Sequence, residues 1–490
     1  MSDKRISRGL CRNQDHNNQS VVSSNRNKKY LYREMCILIY VFVATVIFYC
    51  FWHEYVKNHN NTGRLLGLGN LGMATGIYII LYLIIGRWLH AFQIGVERKA
   101  SVLAGQILSL ATVAFIELFI SCAITGQFRY FGDFAKIYSL MFLLQSLING
   151  VLTIPMINKY RHTFPPLEVI EVVGYYNNNL MEKINTVKYK YHIGEIISCE
   201  EDDEFIRKKI LPYDAVLLND LPAERENRIL KLCFAADKRV YFVPKISDVL
   251  VRSSEQLNLF DTPLFMNRNN GFGTVQRAIK RFCDLVFSTF ALVIFSPIFL
   301  AVSIAIKAED HGPVFYKQER ITLGGKHFMI LKFRSMIVDA EKDGQPHPAT
   351  NKDNRITKVG RIIRAYRIDE LPQLINIIKG DMSIVGPRPE RWEHCSIYRS
   401  EIPEWDFRQK VRGGLTGYAQ VYGKYNTSAL DKLKLDIIYI TNFNILLDIQ
   451  IIFETMKILF LRESTEGFTE EKIVEMRKKK MKVEKETDNK

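Results

Sequence analysis

A chain of 490 residues is too long for one ordinary soluble domain and has room for two or three. Its net charge of +15, with a pI of about 9.2, suits anionic partners: nucleic acid, an acidic membrane surface or phosphorylated substrates. The eight cysteines are scattered without a C-x-x-C pair, which argues against a zinc site or disulfide framework and fits a reducing compartment around the soluble parts.

Residues 1–34 form a polar, basic leader containing Arg26, Lys28, Lys29 and Arg33, too long and poorly punctuated for a cleaved signal peptide. Four apolar stretches follow, at about 35–52, 69–86, 102–125 and 137–157. Each is close to the roughly 20 residues that a membrane helix needs, so four transmembrane helices are expected over 35–158. The leader, the link "GRWLHAFQIGVERKAS" and "NKYRHTF" after the fourth stretch are all basic, which places them on the cytoplasmic side. Glu117 falls within the third stretch and reads as a bundle-facing, neutralised carboxylate.

Residues 165–265 change character. "LEVIEVVGY", "YKYHIGEIISC", "YDAVLLND" and "KRVYFVP" read as strands alternating with helix-like runs, which predicts a small parallel α/β domain. "GYYNNN" stands where a dinucleotide site would carry G-x-G-x-x-G, so scaffolding or regulation is favoured there over a bound nucleotide.

The next apolar segment, "KRFCDLVFSTFALVIFSPIFLAVSIAIKAED", carries Ser296-Pro297 at its centre. Proline deletes a helical hydrogen bond, at about 3 kcal/mol in a straight helix. Arg277, Lys280 and Arg281 before it and Lys307 after it give both ends the cytoplasmic signature. A helix–break–helix over 282–306 that enters one leaflet and returns satisfies both features.

Beyond it, Gly324-Gly325 predicts a hairpin turn between "VFYKQERI" and "HFMILKFRS". Lys332 and Arg334 alternate along the second strand and are expected to project from one surface, either as a solvated face or as a pair of site cations. "RIIRAYRIDELPQLINIIKGDMSIVGPRPE" places Arg361, Arg364 and Arg367 ahead of adjacent carboxylates, Asp369 and Glu370. Read alone, the stretch needs nothing beyond helix punctuation: Asp369 as cap, Glu370 at the positive end, Pro372 in the first turn, Gly380 as stop. Arg388 lies between two prolines, and a stiffly held guanidinium suits bidentate phosphate recognition, with a plain structural turn as the competing reading. "NFNILLDIQIIFETMKILFLRE" is apolar but interrupted by charges, which fits a helix packed on the domain or at an interface better than a further span. Residues 466–490 form a charged tail.

Taken in order, "KRFCDLVFS", the mid-helix "SP", "GPVFYKQER", "KFRSM", "IDELPQL", "GDMSIVGPRPE" and "GLTGYAQV" resemble the bacterial sugar transferases, the monotopic phosphoglycosyl transferases, over about 275–465. The four helices and the α/β segment look like the long form of that family. The resemblance implies a reaction in which Asp369 attacks the sugar-linked phosphate of a UDP-sugar, releases UMP, and passes the phosphosugar to polyprenyl phosphate. Glu370 would hold Mg²⁺. Arg361, Arg364 and Arg388 would meet the nucleotide or its phosphates, with Lys332 and Arg334 in the surrounding shell. Ala365, Tyr366 and Arg367 depart from the family's usual basic and hydroxyl residues before the dyad, which blurs the identity of the sugar.

The fold expected is a mixed α/β membrane protein. It comprises a four-helix transmembrane bundle, a small Rossmann-like α/β domain, and a monotopic α+β catalytic domain with a re-entrant helix broken at Ser296-Pro297. The resemblance places it multi-pass in the bacterial cytoplasmic membrane, with the catalytic domain on the cytoplasmic face. Expected partners are the UDP-sugar donor, the polyprenyl phosphate acceptor and membrane lipid. Self-association is left open, and no nucleic-acid role is expected because the basic residues cluster beside apolar segments. Two rivals remain at this stage: direct glycosyl transfer, which would release UDP, and a non-catalytic membrane scaffold or regulator.

Overall fold

The computed structural model describes residues 3–56, 68–126, 128–175, 180–185, 187–259, 261–267, 272–338, 353–423 and 427–460. The charged tail expected at 466–490 lies outside them. The chain divides into two compact units, residues 1–243 and 244–490.

The first unit opens with four long helices: α1 (Asp3–Phe51), α2 (Leu68–Trp88), α3 (Lys99–Ile124) and α4 (Phe131–Thr163). Helix α1 packs on α2 and α4, and α3 packs on the same two, so the four surround a common core. Segments Asn27–Val56, Gly69–Trp88, Lys99–Ile124 and Phe128–Thr163 are each long and apolar enough to cross a membrane. Many large apolar side chains point outward, among them Leu38, Phe42, Ile84, Phe115 and Leu147.

The α/β segment runs β1 (Leu167–Val173), α5 (Leu180–Asn185), β2 (Tyr191–Ser198), α6 (Asp203–Ile210), β3 (Ala215–Asn219), α7 (Ala223–Ala235) and β4 (Arg239–Phe242). All four predicted strands form, in the order β2-β1-β3-β4, and every pairing is parallel. Strand β1 lies between two neighbours, and its Val169, Ile170 and Val172 are buried, as expected of a parallel sheet covered on both faces. The predicted boundary at 265 moves to 243. Helix α8 (Ile246–Arg252) buries Val249 with Trp405, Leu433 and Ile437 of the second unit, because Ile246, Val249 and Leu250 form one apolar face. The short hairpin β5 (Glu255–Leu259) and β6 (Thr262–Met266) follows it.

The second unit is built on α9 (Thr274–Asp310) and the hairpin β7 (Phe315–Ile321) and β8 (His327–Phe333). Then come α10 (Lys358–Ala365), α11 (Gln373–Lys379), β9 (Met382–Val385), α12 (Trp392–Glu401), β10 (Gly413–Thr416), α13 (Tyr418–Tyr422), α14 (Ala429–Thr441) and α15 (Ile445–Phe460). The hairpin turns where the glycines predict it, with Gly324 and Gly325 both at positive φ (65° and 78°).

Helix α9 is not interrupted at Ser296-Pro297, contrary to the expected break. The reason is local. Pro297 has no N–H to give the Val293 carbonyl, and the Ser296 hydroxyl donates to that carbonyl instead, at 2.7 Å. One side of α9 is docked along its length. Ala291, Leu292 and Phe295 pack with Phe328, Leu374 and Ile377, while Val302 and Ile306 pack with Phe333 and Ile363. The other side leaves Phe282, Phe290, Val293 and Leu300 each more than 60% exposed.

The charges that interrupt α15 point inward. Asp448 pairs with Lys280 at 2.5 Å and accepts from the Tyr439 hydroxyl at 2.8 Å, and Lys457 donates to Glu454 at 2.8 Å. This agrees with a helix packed on the domain rather than a further span.

Candidate active site

The dyad does not cap a helix. Asp369 and Glu370 lie in a single 3₁₀ turn (Ile368–Glu370), and α11 starts only after Pro372. No side chain caps either segment at its start. Arg367, just before the turn, sits in the left-handed region at φ 54°, an uncommon position for a non-glycine residue. This kink separates α10 from the turn and directs both carboxylates into the unit. Gly380 does end α11, at φ 95°.

Three contacts fix the turn in place. Buried Asn376 of α11 accepts from the Leu331 N–H and donates to the Met329 carbonyl, both at 2.9 Å, which ties α11 to β8. Arg281 of α9 donates to the carbonyls of Ile377 and Ile378, at 2.6 and 2.8 Å, closing the free end of α11. Asp284 accepts from the Ser383 hydroxyl (2.8 Å) and the Ile384 N–H (3.1 Å), which holds β9 on the same helix. The "KRFCD" run is thus a clamp between α9 and the dyad.

Lys332, next to last in β8, faces the turn and donates to Glu370 Oε1 at 3.2 Å. Arg388 donates to the same oxygen at 2.9 Å, and its other terminal nitrogen donates to Gln420 Oε1 at 3.1 Å. Arg367 approaches Glu370 Oε2 at 3.9 Å. The Glu370 side chain is only 12% exposed. Burial opposes its ionisation, but Arg388, Lys332 and Arg367 together hold it well below the usual carboxylate range. Asp369 behaves oppositely. Burial, then the neighbouring Glu370 charge, raise it above the ordinary aspartate value, with Lys332, Arg364 and Arg388 pulling the other way. Among the described residues Asp369 has no hydrogen-bond or ion-pair partner. One carboxylate is therefore fixed as an anion among cations, and the other is uncommitted.

The predicted cations divide. Lys332 and Arg388 meet Glu370 directly, and Arg364 acts on Asp369 through its charge. Arg361 is exposed on α10, and its side chain makes no hydrogen bond or ion pair among the described residues. Arg334 does not join the site. Strand β8 ends at Phe333, so the alternation that would have aligned it with Lys332 stops one residue short. Its guanidinium is buried and bidentate on Asp310 at the end of α9.

Sequence reasoning missed the residues that hold Arg388. Arg320 donates to the Pro389 carbonyl at 3.2 Å, and Arg408 donates to the Arg388 carbonyl at 2.9 Å while pairing with Asp436 at 2.8 Å. Arg408 also stacks on Trp405, with 4.5 Å to the ring centroid. Glycine is obligatory where β10 meets this loop: a Cβ on Gly414 would stand 2.1 Å from the Gly386 nitrogen. "QER", "GPRPE" and "GGLTG" are the visible traces of this scaffold, but their partnerships join distant parts of the chain.

The pattern of charges predicts a pH effect. Arg364→Gln removes a cation that favours ionised Asp369, so where this carboxylate acts ionised the acid limb of kcat is expected to move to higher pH, on top of a general fall in rate from the lost cation. A pH–rate profile of the variant checks this; an unmoved limb would mean that Asp369 does not govern it.

The profile of the bacterial sugar transferase family matches residues 275–462. A UDP-glucose:undecaprenyl-phosphate glucose-1-phosphate transferase of Caulobacter vibrioides is 40% identical over 191 residues, covering 38% of this chain and 71% of that protein. A UDP-N-acetylgalactosamine-undecaprenyl-phosphate N-acetylgalactosaminephosphotransferase of Aeromonas hydrophila is 39% identical over 50% of this chain and 58% of its own length. A UDP-glucose:undecaprenyl-phosphate glucose-1-phosphate transferase of Klebsiella pneumoniae is 33% identical over 60% of this chain and 63% of its own length. The chain belongs to the bacterial sugar transferase family. It spans less than two thirds of the Aeromonas and Klebsiella proteins.

Proposed function

We propose that the second unit transfers a hexose-1-phosphate from a UDP-sugar to polyprenyl phosphate, through a phosphosugar carried on Asp369. The observation that carries this reading is the split of the dyad: Glu370 is engaged by Lys332 and Arg388, while Asp369 has no such partner among the described residues. In the first step an Asp369 oxygen attacks the sugar-linked phosphorus, the bond from that phosphorus to the bridging oxygen breaks, and UMP leaves. In the second, a phosphate oxygen of the polyprenyl acceptor attacks the same phosphorus and expels the Asp369 carboxylate. Lys332, Arg364 and Arg388 neutralise charge that builds on the diphosphate. Their relatives' named reactions, with UDP-sugars as donors and undecaprenyl phosphate as acceptor, support the choice of substrates.

The residues present suit Mg²⁺ brought in with the diphosphate. No group of three or more His, Cys, Asp or Glu able to hold a metal occurs among the described residues, and Mg²⁺ commonly binds one or two carboxylates plus substrate phosphates and water. Glu370, already fixed as an anion by Lys332 and Arg388, is the residue that would hold it. Bound there, the ion would screen the diphosphate charge.

The first four helices are read as transmembrane and α9 as re-entrant, which places the catalytic unit at the cytoplasmic face of the inner membrane. Support for α9 comes from its docking. Lys280–Asp284, Ala291–Phe295 and Val302–Asp310 all attach to one compact unit, whereas a spanning helix would carry its two ends to opposite sides of the bilayer. The reaction would then be the priming step of a surface polysaccharide, such as an exopolysaccharide, capsule or O-antigen. The test is transfer of radiolabelled sugar phosphate to undecaprenyl phosphate by the protein in nanodiscs, across a panel of UDP-sugars with and without Mg²⁺. Label in the lipid fraction with at least one donor is expected. Label from none would leave the scaffold reading in possession.

A further inference from the structure

We propose that helices α1–α4 enclose a hydrated proton-binding site centred on Glu117. It takes these helices as membrane-spanning, as above, and is independent of the transferase chemistry. Glu117 of α3 is fully buried, and neither carboxylate oxygen has a hydrogen-bond partner among the described residues. Gln145 Oε1 and Asn149 Oδ1 on α4, also fully buried, share that condition. Four acceptor oxygens on three side chains thus meet no protein donor in one bundle core. A buried acceptor left without a donor is costly, and a polar cluster of this kind is where proteins hold internal water.

The groups on either side are already bonded into chains. Toward the end where α1 and α3 finish, Trp52 Nε1 donates to the Ser121 hydroxyl at 3.3 Å, and Ser121 shares a 2.6 Å bond with the Tyr138 hydroxyl. Ser121 is one turn beyond Glu117 on the same face of α3. Toward the other end, Gln145 donates to the Tyr78 hydroxyl at 2.9 Å and Asn149 to the Tyr82 hydroxyl at 3.1 Å, and Tyr82 donates to Gln106 at 2.6 Å. Glu117 falls in the interval between these chains. The ionisable groups acting with it are Tyr78 from α2 and Tyr138 from α4. Among the described residues no cation pairs with it. An unpaired carboxylate is costly in such a core, so Glu117 holds a proton. Water linking it to Gln145 and Tyr78 on one side and to Ser121 and Tyr138 on the other lets that proton exchange with the aqueous phase at the Trp52 end.

Dicyclohexylcarbodiimide, which modifies protonated carboxyls in apolar surroundings, provides the test on the full-length protein in nanodiscs. Mass spectrometry is expected to find Glu117 modified in the wild type and residue 117 unmodified in Glu117→Gln. The rate should fall about tenfold per pH unit above the titration of the group. A Gln145→Leu, Asn149→Leu variant, which removes the water's anchors, should lose that pH dependence while keeping its transferase activity. No modification of Glu117 in folded protein, or a rate unchanged between about pH 5 and pH 9, would overturn the proposal. Labelling of single cysteines placed in the loops of α1–α4 by a membrane-impermeant thiol reagent, in sealed vesicles, separately tests whether the helices span.

Discussion

Replacing Asp369 with asparagine is expected to lower phosphosugar transfer by at least about a thousandfold, because the amide cannot form the covalent intermediate. The fold should survive. Asp369 makes no hydrogen bond or ion pair among the described residues, and asparagine matches its shape, so the thermal midpoint should stay within about a degree or two of wild type. Glu370→Gln should behave differently. It withdraws the negative charge shared by Lys332 and Arg388, so both activity and stability should fall. Parallel transfer assays and melting curves on the two variants separate the roles. Equal loss of stability in both would show that Asp369 is structural.

The second large effect lies outside the dyad. Arg408→Met would remove the cation from Asp436, which is 1% exposed, and the donor to the Arg388 carbonyl. Stranding a buried carboxylate costs roughly 3–5 kcal/mol, so the melting temperature of the purified protein should drop steeply. Adding Asp436→Asn should restore part of the loss, since the double variant no longer strands a charge. Burial pushes the Asp436 carboxyl up to about 6, with Arg408 acting against the rise. A carboxyl raised by folding keeps its proton longer in the folded state than in the unfolded one, so its contribution to stability declines as pH increases from the unfolded value toward the folded one. Without Arg408 the rise is greater. The deficit of Arg408→Met should therefore be smallest near pH 5 and grow toward neutrality. A deficit independent of pH would mean that lost packing on Trp405, not the stranded charge, dominates.

What the sequence disclosed and what it hid follow from the range of the interactions. Local signals were sound. Gly324-Gly325 turned the hairpin, Gly380 stopped α11, and the alternation of β-rich and helical runs yielded four parallel strands. Periodicity misled at element ends. Arg334 follows Lys332 by two residues, but the strand stops at Phe333, so the two cations part company. Asp369 has the spacing of a cap, yet Arg367 takes up a left-handed conformation and a 3₁₀ turn intervenes before α11. Proline at 297 reads as a break, and only the placement of the Ser296 hydroxyl shows why the helix continues. The supports of the site were not legible at all. Asn376 reaches β8 across 45 positions, Arg281 reaches α11 across 96, and Arg408 reaches the Arg388 carbonyl across 20. Nothing in a neighbouring residue announces such partners.

The most direct test of the account is to give the purified protein a UDP-sugar without acceptor, and to measure both the nucleotide released and the mass of the peptide containing residue 369. The account predicts UMP in an amount close to that of the enzyme, with a hexose-phosphate adduct on Asp369 that disappears when undecaprenyl phosphate is added. Release of UDP, or turnover to UMP and lipid product that proceeds with no adduct in the wild type and is undiminished in Asp369→Asn, would contradict it.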